Sequence, residues 1–444
     1  MHYRNFWCLI LWLMPGIMGA AWAQDRDSTL TYEEAVKIAL RENIQIRQQR
    51  NLLDVAKAER AQAYAQFAPS VGFEAGGSKI YGRQFDNTAG DFTDQASRLS
   101  GGLGASLPLF NGLRNYHQLR QSQASAAAQV QTINQTQQDV IFNVSQQYLQ
   151  VLVNQELLKI TQANLVQQEE LLESIRTFVD AGLRNIADLY NQEAETKRIA
   201  LLVVEAENDL AISQVQLIRT LQIDPFQTWT FAEPEIDQWE TLTETINLQQ
   251  AYNEAIMHRP DLQSQRNTIV ANRYGVGVVR SRYWPSLSLD YYFGSQYSTL
   301  FDPTLREQLL DINSVHVIGL NLSVPIFNNL QNYTAVQRQK QVLNNAKLDL
   351  EDLERNILEQ LQTAVADYRA AQQRLIAAQA QVKAAAKALE AEKERFRLGV
   401  GNVLDINRVN ATYVEAQANL VQANYTLVFQ KTVMDYYTGK LQPN

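Results

Sequence analysis

Cysteine is almost absent from this chain of 444 residues, which contains only Cys8. That residue lies in a short apolar stretch between Arg4 and an Ala-Trp-Ala sequence that ends at Ala23, the order of a secretory signal peptide. A retained membrane anchor is the alternative, and the shortness of the apolar core argues against it. We therefore expect residues 1–23 to be removed as a signal peptide. The mature chain then has no disulfide, no reactive thiol and no N-terminal cysteine to carry a lipid.

Long apolar runs and excess positive charge are missing as well. After the predicted signal, no run of about 18 apolar residues occurs, so we expect no transmembrane helix. The formal net charge is −8, and it becomes −9 without the signal, which holds one arginine and no acid. We find no basic patch in the sequence, and the acidic balance argues against nucleic-acid binding.

Catalytic motifs are also lacking. His117, His258 and His316 remain after the signal, and none has metal-ligand spacing to another histidine. His316 lies in a predicted strand, where we expect a lumen or packing residue. No nucleophile elbow or phosphate-binding loop occurs, so we expect no enzyme and no cofactor. Two groups of glycines are better explained by close packing: Gly101, Gly102 and Gly104 in a strand, and Gly275 and Gly277 in a helix.

The sequence is rich in internal repetition. Landmarks of the first half recur in the second half in the same order and at a nearly constant offset, which predicts a duplication. They include Pro69 and Pro285, Asn111 and Asn328, Tyr116 and Tyr333, Gly182 and Gly399, and Asp188 and Asp405. We predict a first repeat over residues 24–221, an inter-repeat segment over 222–247, and a second repeat with the C-terminal segment over 248–444.

Each repeat opens with a predicted helix, over residues 32–67 and 248–283, and Pro260 is expected to break the second one. Two strands follow, in which apolar and polar residues alternate. In the fourth strand Val315 and Val317 are out of phase, which a β-bulge would explain. We find no other strands to pack on these four. Aromatic residues cluster beside them: Tyr283, Trp284, Tyr291, Tyr292, Phe293 and Tyr297.

A half-buried soluble sheet is one interpretation of such strands. Strands of about 10 residues with one apolar face and interfacial aromatic residues suit a transmembrane barrel better. Four strands cannot close a barrel, and an open sheet edge in lipid leaves backbone groups without hydrogen bonds. If the strands span a membrane, several chains must share one barrel.

Very long helices are predicted after each strand pair. Residues 112–179 contain no proline, and a helix of that length extends about 100 Å. Apolar residues recur every seven positions, which predicts a left-handed supercoil. They are Val144, Val151, Leu158, Leu165, Leu172 and Val179 in the first repeat, and Leu361, Tyr368, Leu375, Val382, Leu389 and Phe396 in the second. Adjacent apolar doublets widen the stripe, which favours a ring of helices.

This plan resembles the TolC-like outer-membrane efflux protein family. The resemblance rests on Pro-Leu-Phe-Asn at 108–111, Pro-Ile-Phe-Asn at 325–328, the Gly-Leu and Gly-Val tips, and the Gly-Lys-Leu ending at 439–441. It implies a mainly α fold with a small β part, in which a long coiled-coil α-helical barrel joins a shared transmembrane β-barrel. Each chain would contribute two internal repeats and four strands, and residues 222–247 would join the C-terminus in an equatorial belt.

The resemblance also implies a function. The chain would be the outer-membrane channel component of a tripartite efflux or type I secretion system, with porin activity. It would form a homotrimer in outer-membrane lipid, extend into the periplasm, and work with a periplasmic adaptor protein and an inner-membrane transporter. The alternative is a periplasmic coiled-coil adaptor or structural spacer, which would show one helical hairpin flanked by small β-domains.

The two helical hairpin tips hold the candidate site residues. Asn185 stands three residues before Asp188, and Asn402 three before Asp405, which predicts two N-caps with an acid in the first turn. This capping role is sufficient to explain both acids. The resemblance adds that they line the periplasmic entrance of the channel.

Other tip residues either match the family or depart from its pattern. By resemblance, Gly182, Leu183, Gly399 and Val400 would contact the adaptor. Gly401 stands where the family often has an arginine, Arg408 where an acid is expected, and Phe396 where an aromatic hydroxyl would serve. We therefore hypothesise that Arg184 and Arg408 supply alternative ion pairs at the entrance.

Overall fold

The computed structural model describes residues 28–86, 90–233 and 246–441. The first half runs β1 Ser28–Leu30, α1 Tyr32–Glu42, α2 Ile44–Ala65, β2 Ser70–Asp86, β3 Asp91–Phe110, α3 Arg114–Asp180 and α4 Ile186–Leu221. The second runs β4 Trp229–Phe231, α5 Leu248–His258, α6 Pro260–Arg280, β5 Ser286–Ser298, α7 Leu305–Glu307, β6 Val315–Ser323, α8 Gln331–Arg397 and α9 Val403–Tyr437. The predicted signal peptide and residues 234–245 of the inter-repeat segment lie outside the described residues.

The opening helix of both halves is broken at equivalent positions. Pro260 begins α6, as predicted, after Arg259 takes an extended conformation. The single helix predicted for residues 32–67 was wrong, because Asn43 divides it into α1 and α2. Asn43 is also extended, and its side chain accepts a hydrogen bond from the backbone of Gln45. Asparagine therefore produces the break by capping a new helix, without the proline that marks it in the second half.

The four main strands form one antiparallel sheet in the order β2-β3-β5-β6. Its two hairpins share one register: Ser70 pairs with Ser106, and the equivalent residues of the second half, Ser286 and Ser323, pair with each other. The sheet therefore has two equivalent hairpins side by side, and its outer edges are β2 and β6.

One face of this sheet is apolar across all four strands. Val71, Ala105, Tyr291 and Ile318 form one cross-strand row of that face. Its side chains are largely uncovered in the single chain; Ile318, for example, is 76% exposed. The predicted alternation is confirmed, but the β-bulge predicted at the start of the fourth strand was wrong. The β5–β6 pairing is continuous from Val315 onward.

Tyr292 lies on the opposite, polar face, although it was grouped with the interfacial aromatic residues. A Cβ atom added at Gly102 or Gly294 would overlap the Tyr292 ring, so both glycines make room for it. Close packing is therefore confirmed for Gly102. The same prediction of close packing was wrong for Gly104, where an added Cβ would meet open space.

The two long helices, α3 and α8, each have 67 residues, which corresponds to about 100 Å. They pack against the shorter return helices α4 and α9. In α8 the predicted seven-residue stripe is the buried side, with Leu361, Tyr368, Leu389 and Phe396 in the core. In α3 the stripe is buried at Val144 but only half-buried from Leu158 to the tip.

Two short strands near the middle of α3 were missed by the sequence analysis. β1 and β4 pair in parallel and pack against α3 through Leu30 and Phe231. The fully buried Tyr148 hydroxyl donates to the carbonyl of Leu30 at 2.9 Å or of Ala232 at 2.6 Å. Burial raises the pKa of Tyr148, so this hydroxyl remains a donor. The inter-repeat chain is thereby fixed to the long helix.

Candidate functional site

The two helical hairpins end in tips with the same backbone design. We call residues 181–185 the first tip and residues 398–402 the second tip. Gly182 has φ +72° and Gly399 has φ +78°, so each ends its long helix in the left-handed conformation that favours glycine. The next side chains, Leu183 and Val400, are 72% and 69% exposed. Together with Leu398, which is 68% exposed, they form the apolar surface of the two tips.

Both return helices begin with the predicted asparagine. The side chain of Asn185 accepts a hydrogen bond from Ala187 N at 3.0 Å, and that of Asn402 accepts one from Leu404 N at 3.0 Å. Asp188 and Asp405 lie in the first turns of α4 and α9. The capping prediction is confirmed at both tips, and each acid lies where the helix dipole favours a negative charge.

Arg184 connects the two tips. Its guanidinium lies 4.5 Å from the centre of the Phe396 ring and donates to the carbonyl of Gly401 at 3.1 Å. A carboxylate oxygen of Asp188 lies 3.9 Å from a guanidinium nitrogen of Arg184. Only 17% of the Arg184 side chain is exposed. This arginine therefore contributes both a cation–π contact and a hydrogen bond to the packing between the hairpins.

The arginine of the second tip is placed differently. Arg408 lies 3.4 Å from Asp405 in the same helix, and 76% of its side chain is exposed. An exposed pair of this kind contributes little to stability. The two hypothesised ion pairs are both present in the structure, but only Arg184 reaches the opposite hairpin.

Gly401 has no room for a side chain. An added Cβ atom would lie 2.8 Å from the backbone nitrogen and 2.9 Å from Cα of Phe396. The backbone N–H of Gly401 donates to the carbonyl of Arg395 at 3.0 Å, which bends the second tip back over its own helix. The bend places the Gly401 carbonyl within reach of Arg184.

Behind the tips lies a buried polar layer that sequence reasoning missed. Gln192 donates to the side chain of Gln168 at 2.6 Å and accepts from Asn407 at 2.9 Å, and Asn410 donates to Asn164 at 2.7 Å. These amides join α3, α4 and α9. The sequence did contain a sign of this layer, because amide residues such as Asn164 and Gln168 recur four residues apart among the apolar positions of α3. A search for apolar residues every seven positions does not detect them.

Outside the tips, the described residues offer no metal site and no membrane-spanning helix. Within residues 28–86, 90–233 and 246–441, no group of histidine, cysteine or carboxylate side chains is arranged to hold a metal ion. Across the same residues, no helix has an apolar stretch long enough to cross a membrane. His316 stacks on Phe293, as expected for a packing residue, and His117 packs against Gly277.

Comparison with known proteins gives consistent matches over most of the chain. The family model described as outer membrane efflux protein matches residues 35–221 and 251–432. Outer membrane protein TolC of Vibrio cholerae is 25% identical over 315 residues, which is 69% of each chain. Alkaline protease secretion protein AprF of Pseudomonas aeruginosa is 21% identical over 80% of this chain and 73% of its own.

The fold agrees with these matches. The CmeC outer membrane channel of Campylobacter jejuni superposes with a TM-score of 0.81 at 18% identity, covering 92% of this chain and 85% of that one. Because one family model covers more than half of the sequence, the family is established. The chain belongs to the outer membrane efflux protein family, and it is an outer-membrane channel protein and not an enzyme.

Proposed function

We propose that this chain is one subunit of a homotrimer that carries substrates from an inner-membrane transporter across the periplasm and the outer membrane. A periplasmic adaptor protein would hold the channel to that transporter, in a tripartite efflux or a type I secretion system. The relatives named for efflux and for protease secretion support this class of function.

The observation that carries the sharing of one barrel between several chains is the incomplete sheet. Its edges β2 and β6 have no partner strand among the described residues, while its apolar face is exposed from Phe73 to Leu322. In lipid each unpaired edge group costs several kcal/mol, so the edges must pair with other chains. Three chains give twelve strands, which suits a channel wider than the filled eight-stranded barrel.

The helices support the same assembly. Leu158, Leu165, Leu172 and Val179 of α3 stay half-buried in the single chain, as expected if another subunit completes their cover. We further propose that β1, β4 and the C-terminal segment form an equatorial belt, since all three pack against α3 near its middle. The repeat boundaries given above, 24–221 and 248–444, belong to this proposal.

The tips would then form the periplasmic entrance. Leu183 and Val400, next to Gly182 and Gly399, project from the ends of the hairpins, as an adaptor contact requires. Asp188 and Asp405 lie in the first turns of α4 and α9 behind them and would set the cation preference of the entrance. Arg184 would help to hold it closed, because it joins the two hairpins.

The function is tested by a pair of lysine substitutions on opposite faces of β6. Ile318→Lys places a charge on the apolar face, where it costs about 2–4 kcal/mol at mid-membrane depth. Asn321→Lys, on the polar face, is the matched control. We expect the native protein and N321K to be recovered from outer membranes as three-chain complexes that form pores in planar bilayers, and I318K to be lost from that fraction.

Equal recovery of both variants would contradict a lipid-facing sheet. Recovery of the native protein as a soluble periplasmic monomer would instead support the alternative, an adaptor or structural spacer. Mass measurement in detergent distinguishes these outcomes, because it counts the chains in each complex directly.

A further inference from the structure

Charge is distributed unevenly along this acidic chain. The segments 95–138, 262–289 and 312–348 together contain ten lysine and arginine residues and no aspartate or glutamate. They cover the ends of β3, β5 and β6 that join the helices and the adjoining turns of α3, α6 and α8. Their positive charge comes from the absence of acids, and the three segments, although far apart in sequence, meet at the junction of sheet and helices.

A cleft of about 780 Å³ lies within this basic zone. We call it the junction cleft; its lining includes Arg273 and Arg280 of α6, Lys340 of α8, Tyr274, Trp284 and Phe110. None of its three cations has a carboxylate within 4 Å in the part of the chain that the structure describes. The acids Asp54 and Glu59 lie on α2, which packs mainly against α3.

Two glycines allow the elements that line the cleft to approach each other closely. An added Cβ atom at Gly277 would lie 2.6 Å from the His117 ring, and one at Gly112 would lie 2.6 Å from the carbonyl of Ser281. Tyr274 is fixed by Arg120, whose Nε donates to its hydroxyl at 3.3 Å. Because α6 packs between α3 and α8 of one chain, the cleft is formed without a second subunit.

The cleft opens beside the apolar face of the sheet. Phe110 pairs with Leu287, which pairs with Leu322, so Phe110 is the last residue of an apolar cross-strand row. Trp284, at the other wall, is 62% exposed. Tryptophan and tyrosine at the end of a lipid-facing surface are typical of the membrane–water interface, where lysine and arginine meet lipid headgroups.

We infer that the junction cleft binds the headgroup of an anionic phospholipid in the periplasmic leaflet. Arg273, Arg280 and Lys340 would bind the phosphate, and the aromatic side chains would contact the glycerol and the first part of the acyl chains. The inference rests on the lipid-facing sheet proposed above. Each basic residue contributes about fivefold to affinity for an anionic surface, so the three together contribute about a hundredfold.

The test uses the full mature protein in detergent and native mass spectrometry. Phosphatidylglycerol and phosphatidylcholine with identical acyl chains are titrated separately. We expect tight binding of phosphatidylglycerol at one molecule per chain, and loss of about a hundredfold in R273A/R280A/K340A. The matched control, R369A/K383A/K387A, removes three exposed charges from the distant part of α8 and should bind as the native protein does.

Two further measurements test whether the cleft binds a lipid headgroup. Raising the salt concentration should weaken binding of phosphatidylglycerol to the native protein, since exposed ionic contacts are screened. Inorganic phosphate should not displace the lipid at equal concentration. Equal binding of the two lipids, unchanged binding in the triple variant, or displacement by inorganic phosphate would overturn the lipid site. In each of these cases the number of chains per complex can still be measured. Failure of the lipid site is therefore distinguished from failure of the channel proposal.

Discussion

The first and second tips share their backbone caps, and the difference between them that matters most is at one pair of equivalent positions. Arg184 and Gly401 occupy equivalent places in the two repeats. In the first tip the arginine extends to the opposite hairpin. In the second tip glycine lets the backbone fold against Phe396 and present a carbonyl to that arginine. Duplication therefore preserved the caps, while divergence at a single equivalent position produced a complementary donor and acceptor.

The largest expected effect comes from adding a side chain at Gly401. Gly401→Ala places Cβ against the backbone of Phe396, and such overpacking costs up to about 3 kcal/mol. The matched change Gly182→Ala has open space and meets only the cost of a left-handed alanine, about 1 kcal/mol. Hydrogen exchange of the amides in the first turns of α4 and α9 measures both. Equal costs would show that the second tip is no tighter than the first.

Removing the connecting arginine should open the entrance. Arg184→Ala loses the Phe396 contact and the bond to Gly401, together about 2 kcal/mol. We expect longer or larger openings in single-channel recordings. Arg408→Ala removes an exposed arginine from the other tip and is the control, with conductance near that of the native channel. If the two variants behave alike, the asymmetry between the tips has no role in closure.

Substitution of either N-cap asparagine should lower the local stability of its return helix by the same amount. Asn185→Ala and Asn402→Ala each remove one hydrogen bond of 3.0 Å to the first turn of a return helix. Each is expected to cost about 1 kcal/mol of local stability, read from exchange of the amides of Ala187 and Leu404. A difference of more than about 1 kcal/mol between them would reject the equivalence of the two caps.

The smallest energetic effect is expected at the acids, where selectivity is the better measurement. Asp405 has 45% of its side chain exposed and pairs with the exposed Arg408, so Asp405→Asn should change stability by less than about 0.5 kcal/mol. We expect it to lower cation selectivity, seen as a shifted reversal potential. Asp188→Asn should shift it less, because Asp188 is more enclosed and lies beside Arg184. Unchanged selectivity in D405N would reject an entrance role.

Features governed by local chemistry were predicted well from the sequence. Gly182 and Gly399 end helices, Asn185 and Asn402 begin them, and alternation defines the apolar sheet face, because each depends on neighbours in the chain. Features that need distant partners were not predicted. The short strands β1 and β4 are about 200 residues apart in the sequence, one before the first repeat's helices and one after them. Their apolar side chains are buried only because both strands pack against Tyr148 of α3.

The same distinction explains the tip contacts. An ion pair for Arg184 was hypothesised from the sequence without naming its partner, and Asp188, four residues further on, lies 3.9 Å away. Its contacts with Phe396 and Gly401 depend on how two hairpins pack, and no spacing in the sequence specifies that. The buried amides Gln168 and Gln192 were missed for a related reason: a polar residue in a coiled-coil stripe is satisfied only when its partner helix is known.

The central claim, a barrel shared between chains, is tested most directly by a disulfide between neighbouring sheet edges. Within one chain Ala105 of β3 pairs with Tyr291 of β5. The equivalent position to Ala105 in the second repeat is Leu322 of β6, and the equivalent to Tyr291 in the first repeat is Ala75 of β2. A shared barrel would therefore pair Leu322 of one subunit with Ala75 of the next.

Paired strands hold Cα atoms at about 5 Å, which suits a disulfide. The mature chain offers a background free of cysteine.

Oxidation of the double variant Ala75→Cys/Leu322→Cys in outer membranes is therefore expected to give covalent dimers and trimers on a denaturing gel. The control Val71→Cys/Leu322→Cys, offset by about 13 Å along β2, should remain monomeric. A ladder that ends at the trimer and appears only for the first pair is the predicted result. A cross-link confined to single chains, or no cross-link in either variant, would contradict a barrel shared between subunits.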